Sequence, residues 1–238
     1  MLEAFSLLSI VGIGVEPSPS ALWWFPVVGM VLGLAVGGSW WVAYHLWPPL
    51  LAGGVAVLVD LLITGMLHFD GVVDAADGLL ASVAPEQRLE IMTDPRSGSF
   101  GVAAGIMTIL LRWVALSTLT PAPFLIAGIW ITSRTCMAGG VSAVPYARAD
   151  GGMVTKLIGL SRWANSILVV YGVVLAAAFV FLWQMGRGAV VIGAVVSAYV
   201  AVQLLSFKRI GGFTGDVLGA GAIVAETVGL LVAGVHWR

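Results

Sequence analysis

Charge is scarce in this sequence, and cysteine scarcer. Only 10% of the 238 residues are charged against 60% hydrophobic, and the sole cysteine is Cys136. One cysteine excludes an internal disulfide and leaves the redox compartment open. A net charge of -1 removes the basic surplus that draws a protein to phosphate backbones, so no nucleic-acid partner is expected. A basic leader is missing too. Glu3 lies among the first fifteen residues and Glu16 follows, with no cationic stretch ahead of the apolar one, so no cleavable signal is expected.

Apolar residues dominate instead. A mean hydropathy of +1.04 is far too high for a soluble domain of this length. The sequence therefore predicts an all-α, polytopic membrane bundle. Its 31 glycines suit close helix packing, and its 10 tryptophans suit the membrane boundary. Seven stretches can cross a core of about 30 Å. They run near 22–46, 50–69, 101–119, 123–143, 164–183, 189–206 and 217–236, with residues 1–15 as a short interfacial or re-entrant segment. No internal repeat or low-complexity tail divides residues 1–238, which read as one integral membrane domain.

Basic residues orient that bundle. Arg88, Arg96, Arg148, Lys156, Arg162, Lys208 and Arg209 fall in loops near 78–100, 144–163 and 207–216, whereas the other face has only Arg187 and Arg238. Cytoplasmic loops collect Lys and Arg, so the amino terminus and these loops are expected in the cytosol. The glycine-rich spans permit a homo-oligomer without demanding one.

Against this background, the run LHFDGVVDAADGLL stands out. At about 100° per residue, Asp70, Asp74 and Asp77 share an arc of roughly 60° on one helix face. Such carboxylates repel one another unless a cation joins them, and oxygen-only ligands suit Mg²⁺. A straight second span starting near Leu50 reaches Asp70 after roughly 30 Å, at the cytoplasmic boundary. His68 lies nearly opposite Asp70 on the helix and falls off the stripe, although it could still bind substrate.

The other polar clusters sit in the same loops. Glu90 and Asp94 are four apart, with Arg96 beyond; they read either as further metal ligands, with Asp94 also a candidate base, or as a solvated amphipathic loop. PYARADGG offers Tyr146, Arg148 and Asp150. In GGFTGDVLGA, Gly212, Thr214 and Asp216 enter the last span, where exposed backbone N–H groups suit a phosphate or an ordinary helix cap. Lys208 and Arg209, just before this turn, could neutralise phosphate charge. Deeper in the spans, Asp60, Arg112 and Arg134 are expected to face the bundle interior or a partner, with Arg134, and in the same way Glu226, read either as a functional contact, for Arg134 to phosphate, or as half of a structural ion pair.

Taken in order, HFDGVVDAADG (68–78), RLEIMTDPRSGSFG (88–101), SRTCMAG (133–139), PYARADG (145–151) and KRIGGFTGDVLGA (208–220), with FPVVG at 25–29, resemble the cobalamin synthase family over nearly the whole chain. The family often has Leu at Phe69 and Ser at Pro95. The resemblance implies a multi-pass enzyme of the bacterial inner membrane that uses Mg²⁺ to join adenosylcobinamide-GDP to α-ribazole or its 5′-phosphate, releasing GMP. By position it implies metal ligands among Asp70, Asp74, Asp77, Glu90 and Asp94. Catalytic candidates are Asp77, Asp94 and Arg96. Substrate-binding candidates are His68, Arg134, Tyr146, Arg148, Lys208, Arg209, Gly212, Thr214 and Asp216. More distantly the stripe resembles that of CDP-alcohol phosphotransferases, whose alanine-arginine step is missing here. An ion-coupled transporter is a third reading, weakened because the acids cluster at one boundary.

Overall fold

Small residues decide how these apolar helices meet. In the computed structural model of the chain, which describes residues 1–11, 15–148 and 151–235, the helices are α1 (Leu2–Leu8), α2 (Phe25–Leu46), α3 (Pro49–Ile63), α4 (Leu67–Leu80), α5 (Pro85–Ile91), α6 (Ser99–Thr118), α7 (Pro123–Ala143), α8 (Arg162–Trp183), α9 (Met185–Ile210) and α10 (Gly215–Ala233). Short 3-10 turns occupy Pro19–Trp24 and Met153–Leu157. Gly29, Gly33 and Gly37 of α2 recur every four residues and lie against the backbone of Trp130, Ala127 and Pro123 in α7. A Cβ at any of them would meet that backbone at 2.7 Å, so only glycine lets α2 approach so closely. Wrapped by its neighbours, α7 is buried along most of its length.

Among the described residues six helical segments are long and apolar enough to cross a membrane, or seven when the bent pair of α3 and α4 is taken as one span. Large side chains such as Ile167, Val170, Val174, Phe181 and Leu182 point outward from α8, as lipid contact requires.

The second span departs from the expected straight helix. It breaks at Thr64–Met66, and α4 leaves α3 at 90°. Thr64 Oγ1 donates to the Asp60 carbonyl at 2.7 Å, closing the end of α3, while Gly65 (φ 60°) and Met66 (φ 58°) turn the chain through the left-handed region. Hydropathy runs unbroken through this point and hides the turn; Gly65 was the available sign. The helix from Pro49 therefore ends after about 22 Å, and the aspartates lie on a separate limb. The amino-terminal segment supports the break. Ile10 N–H donates to the Ile63 carbonyl at 3.0 Å, and Glu3 accepts from Ser18 N at 2.9 Å and Ser18 Oγ at 2.6 Å.

Deep in the bundle the four intramembrane ions find one another. Arg112 donates to Asp60 at 2.6 Å and Glu226 at 3.2 Å, and Arg134 donates to Glu226 at 2.6 Å. Trp130 Nε1 adds a hydrogen bond to Asp60 at 3.1 Å, and Ser133 Oγ one to Glu226 at 2.7 Å. Two cations and two anions cancel, which makes such a group tolerable in a low-dielectric interior. The network ties α3, α6, α7 and α10 together.

Candidate functional site

The amino-terminal end of α10 and the side of α4 meet at a glycine. A Cβ on Gly71 would lie 2.7 Å from the Asp216 carbonyl oxygen, so the two backbones are in contact there. That crossing sets Asp70 and Asp74 beside Asp216. Asp70 is exposed and Asp74 half-buried, and Asp74 feels the charges of Asp70, Asp216, Asp77 and Arg148. Among the described residues, the side-chain carboxylates of Asp70 and Asp74 have no hydrogen-bond or ion-pair partner.

Asp77 has a different task. Its Oδ2 accepts from Gly98 N at 2.7 Å and its Oδ1 from Gly101 N at 2.8 Å, so it caps the start of α6. At the far end of α4, buried Arg88 donates from Nη1 to the carbonyls of Gly78 (3.0 Å) and Leu79 (2.8 Å), satisfying groups that a helix terminus leaves open. Sequence reading gave Asp77 to the metal and to catalysis and missed both anchoring roles. The SGSFG run at the start of α6 was a sign of the first; Arg88 carried none.

Opposite α4 stand two stitched loops. Ala147 N donates to Phe213 O and Phe213 N to Pro145 O, both at 2.9 Å, while Ser206 Oγ holds the Gly212 carbonyl at 2.6 Å. Tyr146 meets the Phe213 ring edge-on, at a centroid distance of 5.5 Å. The stitching places Arg148 over α10, where Nη2 donates to Asp216 Oδ2 at 2.9 Å. Arg148 Nε is shut from solvent and has no hydrogen-bond partner among the described residues. Thr214 is the N-cap of α10, accepting from Val217 N at 3.3 Å, and its hydroxyl donates to Asp216 at 3.2 Å. The glycine turn read as a phosphate cradle is thus partly committed already, since Phe213 N–H belongs to Pro145 and Gly212 is packed against residues 145–147.

Several expected members stand apart. Arg134 is fully buried in its ion pair with Glu226, so it serves the core and not this face. His68 is buried where α4 crosses Gly219 of α10, away from exposed Asp70. Glu90 is exposed on α5 and is not among the groups that act on Asp74. Asp94 forms a two-point pair with Arg96, Nε to Oδ1 at 2.9 Å and Nη2 to Oδ2 at 2.7 Å. Those side-chain bonds, with Arg96 N–H, pull its carboxyl down to about 2. A group so acidic is a poor proton acceptor, which counts against Asp94 as base. Lys208 and Arg209 are exposed in the last turn of α9, where cations favour the helix dipole. Asp150 lies outside the described residues.

Together, α4, α10 and the two loops form an exposed acidic face with one arginine fixed in it. Among the described residues no three His, Cys, Asp or Glu side chains close into a ready-made cation cage. Hard oxygen donors beside a guanidinium with a spare donor are nonetheless what a metal-bridged phosphate ester meets elsewhere.

The chain as a whole is similar to proteins of known name. The chain is 36% identical over 253 residues to the adenosylcobinamide-GDP ribazoletransferase of Chlorobaculum tepidum, covering 99% of this chain and 96% of that one. It is 36% identical to the protein of that name from Bradyrhizobium diazoefficiens (90% and 82% covered) and 35% identical to the one from Brevibacillus brevis (90% and 87%). No solved structure matches it. Residues 1–234, which hold every element of the acidic face, match the family described as Cobalamin-5-phosphate synthase, and the chain belongs to that family.

Proposed function

We propose that this membrane enzyme joins adenosylcobinamide-GDP to α-ribazole or α-ribazole 5′-phosphate, releasing GMP, at the face formed by Asp70, Asp74, Arg148 and Asp216. The observation that carries the reading is the crossing at Gly71, which brings the α4 carboxylates to the arginine-bearing end of α10. The names of the relatives supply the substrates. The basic loops at this end support a cytosolic face in a bacterial inner membrane, with the amino terminus on the same side.

Donor chemistry fits Mg²⁺. Asp70 and Asp74 offer free carboxylate oxygens, and this ion commonly takes only one or two carboxylates and completes its shell with water and substrate phosphates, which agrees with the open arrangement. When bound with the substrate, Mg²⁺ supplies Lewis-acid neutralisation of the diphosphate.

The protein's own groups do the rest. Arg148, held by Asp216, presents its second edge to the diphosphate. Fixed in that pose, the phosphorus next to the cobinamide linker is attacked in line by a ribose hydroxyl of α-ribazole. A phosphorus–oxygen bond forms to the ribose, the bond to the bridging oxygen breaks, and that oxygen leaves on GMP. Positioning and charge neutralisation are the main contributions of the site, and the hydroxyl proton passes to water at this exposed edge. Purified protein in liposomes, given the GDP-activated corrinoid, α-ribazole and Mg²⁺, is expected to release GMP in step with a corrinoid product. Absence of GMP with either acceptor overturns the reading.

A further inference from the structure

A cleft of about 360 Å³ lies between α4, α6, α9 and α10. Met107 and Leu111 of α6 and Leu231 of α10 line it and are themselves exposed, so it opens on the outer surface of the bundle, where lipid chains are the solvent. Its walls are hydrocarbon apart from the hydroxyls of Thr108 and Thr227, and Thr227 spends its own on the Ile223 carbonyl at 2.7 Å. No charged side chain lines it among the described residues, so its interior suits hydrocarbon and not a polar ligand.

One wall belongs to the limb that carries the acidic face. At about 100° per residue Val72, Ala75, Ala76 and Leu79 fall on the side of α4 opposite Asp70 and Asp74, so whatever fills the cleft packs behind those carboxylates.

Charge enters only at the end of α9. Val202 and Leu205 line the cleft, and Arg209 shares with them an arc of about 60° one turn further along the helix. Arg209 is exposed and makes no ion pair with Glu86 or Glu90 of neighbouring α5, and Lys208 beside it is also exposed and unpaired among the described residues. A hydrocarbon slot that ends beside free cations matches an acyl chain joined to an anionic headgroup. A free phosphate has no use for the slot, and a helix from a second copy, about 10–12 Å across, lies over it without entering.

We infer that the cleft between α4, α6, α9 and α10 is a binding site for an anionic phospholipid, with one acyl chain in the cleft and the phosphate on Arg209, beside Lys208. The site stands on the membrane setting of the chain and is independent of the reaction proposed above.

The test titrates the full-length protein, purified in detergent and stripped of lipid, with phosphatidylglycerol or with phosphatidylcholine of the same chain length, and follows bound lipid by native mass spectrometry. The unsubstituted protein is expected to hold phosphatidylglycerol the more tightly. Arg209→Gln should lower phosphatidylglycerol affinity about fivefold and leave phosphatidylcholine affinity as it was. Ala104→Phe, which projects a ring from α6 into the cleft, should weaken both lipids. The glutamine variant alters an exposed residue and carries the test if the phenylalanine variant fails to insert. Equal affinity for the two lipids in the unsubstituted protein overturns the site, as does unaltered phosphatidylglycerol binding in Arg209→Gln. A lipid that keeps full affinity in Ala104→Phe sits outside the cleft, and that result overturns the site as well.

Discussion

Gly71 of α4 lies directly on the backbone of Asp216 in α10. The carboxylates of Asp70 and Asp74 reach the Arg148–Asp216 pair only because no side chain intervenes. Gly71→Ala must push the helices apart, since its Cβ would sit 2.7 Å from a backbone oxygen. A displacement near 1 Å at a site of this kind lowers turnover about a hundredfold. The protein should still insert and unfold as a bundle. GMP release together with thermal unfolding in detergent separates the two effects.

Asp74→Asn keeps the shape and removes the charge. Turnover is expected to fall about a hundredfold or more, the scale on which a charge-stabilising group at the reacting centre acts. Chelation of divalent ions should abolish activity in the unsubstituted protein, and Mg²⁺ should restore it. Near-normal GMP release from the variant, or indifference to chelator, would falsify the carboxylate–metal assignment.

Arg148 and Asp216 form a partly exposed pair, so its contribution to stability is small. Arg148→Lys retains the charge but loses the two-edged geometry. GMP release at low substrate is expected to drop about tenfold with an unaltered melting temperature. Equal activity in the lysine variant would show that only net charge matters at this position.

Asp94 gives a pH prediction. Its folded value, about 2, lies below the ordinary carboxylate value, so the pair with Arg96 is intact above the ordinary range and is lost as pH falls toward 2. Between pH 5 and 8 the carboxyl is therefore constantly charged. The pH–rate profile of Asp94→Asn should parallel that of the unsubstituted enzyme throughout that window. A lost acidic limb in the variant would restore Asp94 as a titrating catalytic group.

Glu226 anchors the buried ions. Glu226→Ala leaves Arg134 and Arg112 short of negative charge in the interior, a change that destabilises by about 3–5 kcal/mol. The variant should accumulate poorly or melt early, whereas Arg96→Ala, at an exposed pair, should not. Detergent-solubilised melting curves of both variants provide the comparison.

These contrasts show which features the linear pattern could carry. Membrane class and span count follow from hydropathy, which is local and additive along the chain. The aspartate stripe follows from helical periodicity, and the shared end of the basic loops from charge asymmetry. The break at Gly65 was missed because an apolar run looks the same whether straight or bent. Arg134 was ambiguous because one charge in a span says nothing of its partner, and Glu226 lies 92 residues away.

The sequence by itself determined the solvent this chain lives in, the number of apolar segments and the presence of an acidic stripe, since each depends on residues within a few turns of one another. Tertiary structure alone decided which acids remain open to a ligand. Asp77 went to the start of α6 and Glu226 to two arginines, while among the described residues the carboxylates of Asp70 and Asp74 stayed free beside Asp216. A carboxylate's role depends on the donors that packing brings to it, and those donors come from distant parts of the chain.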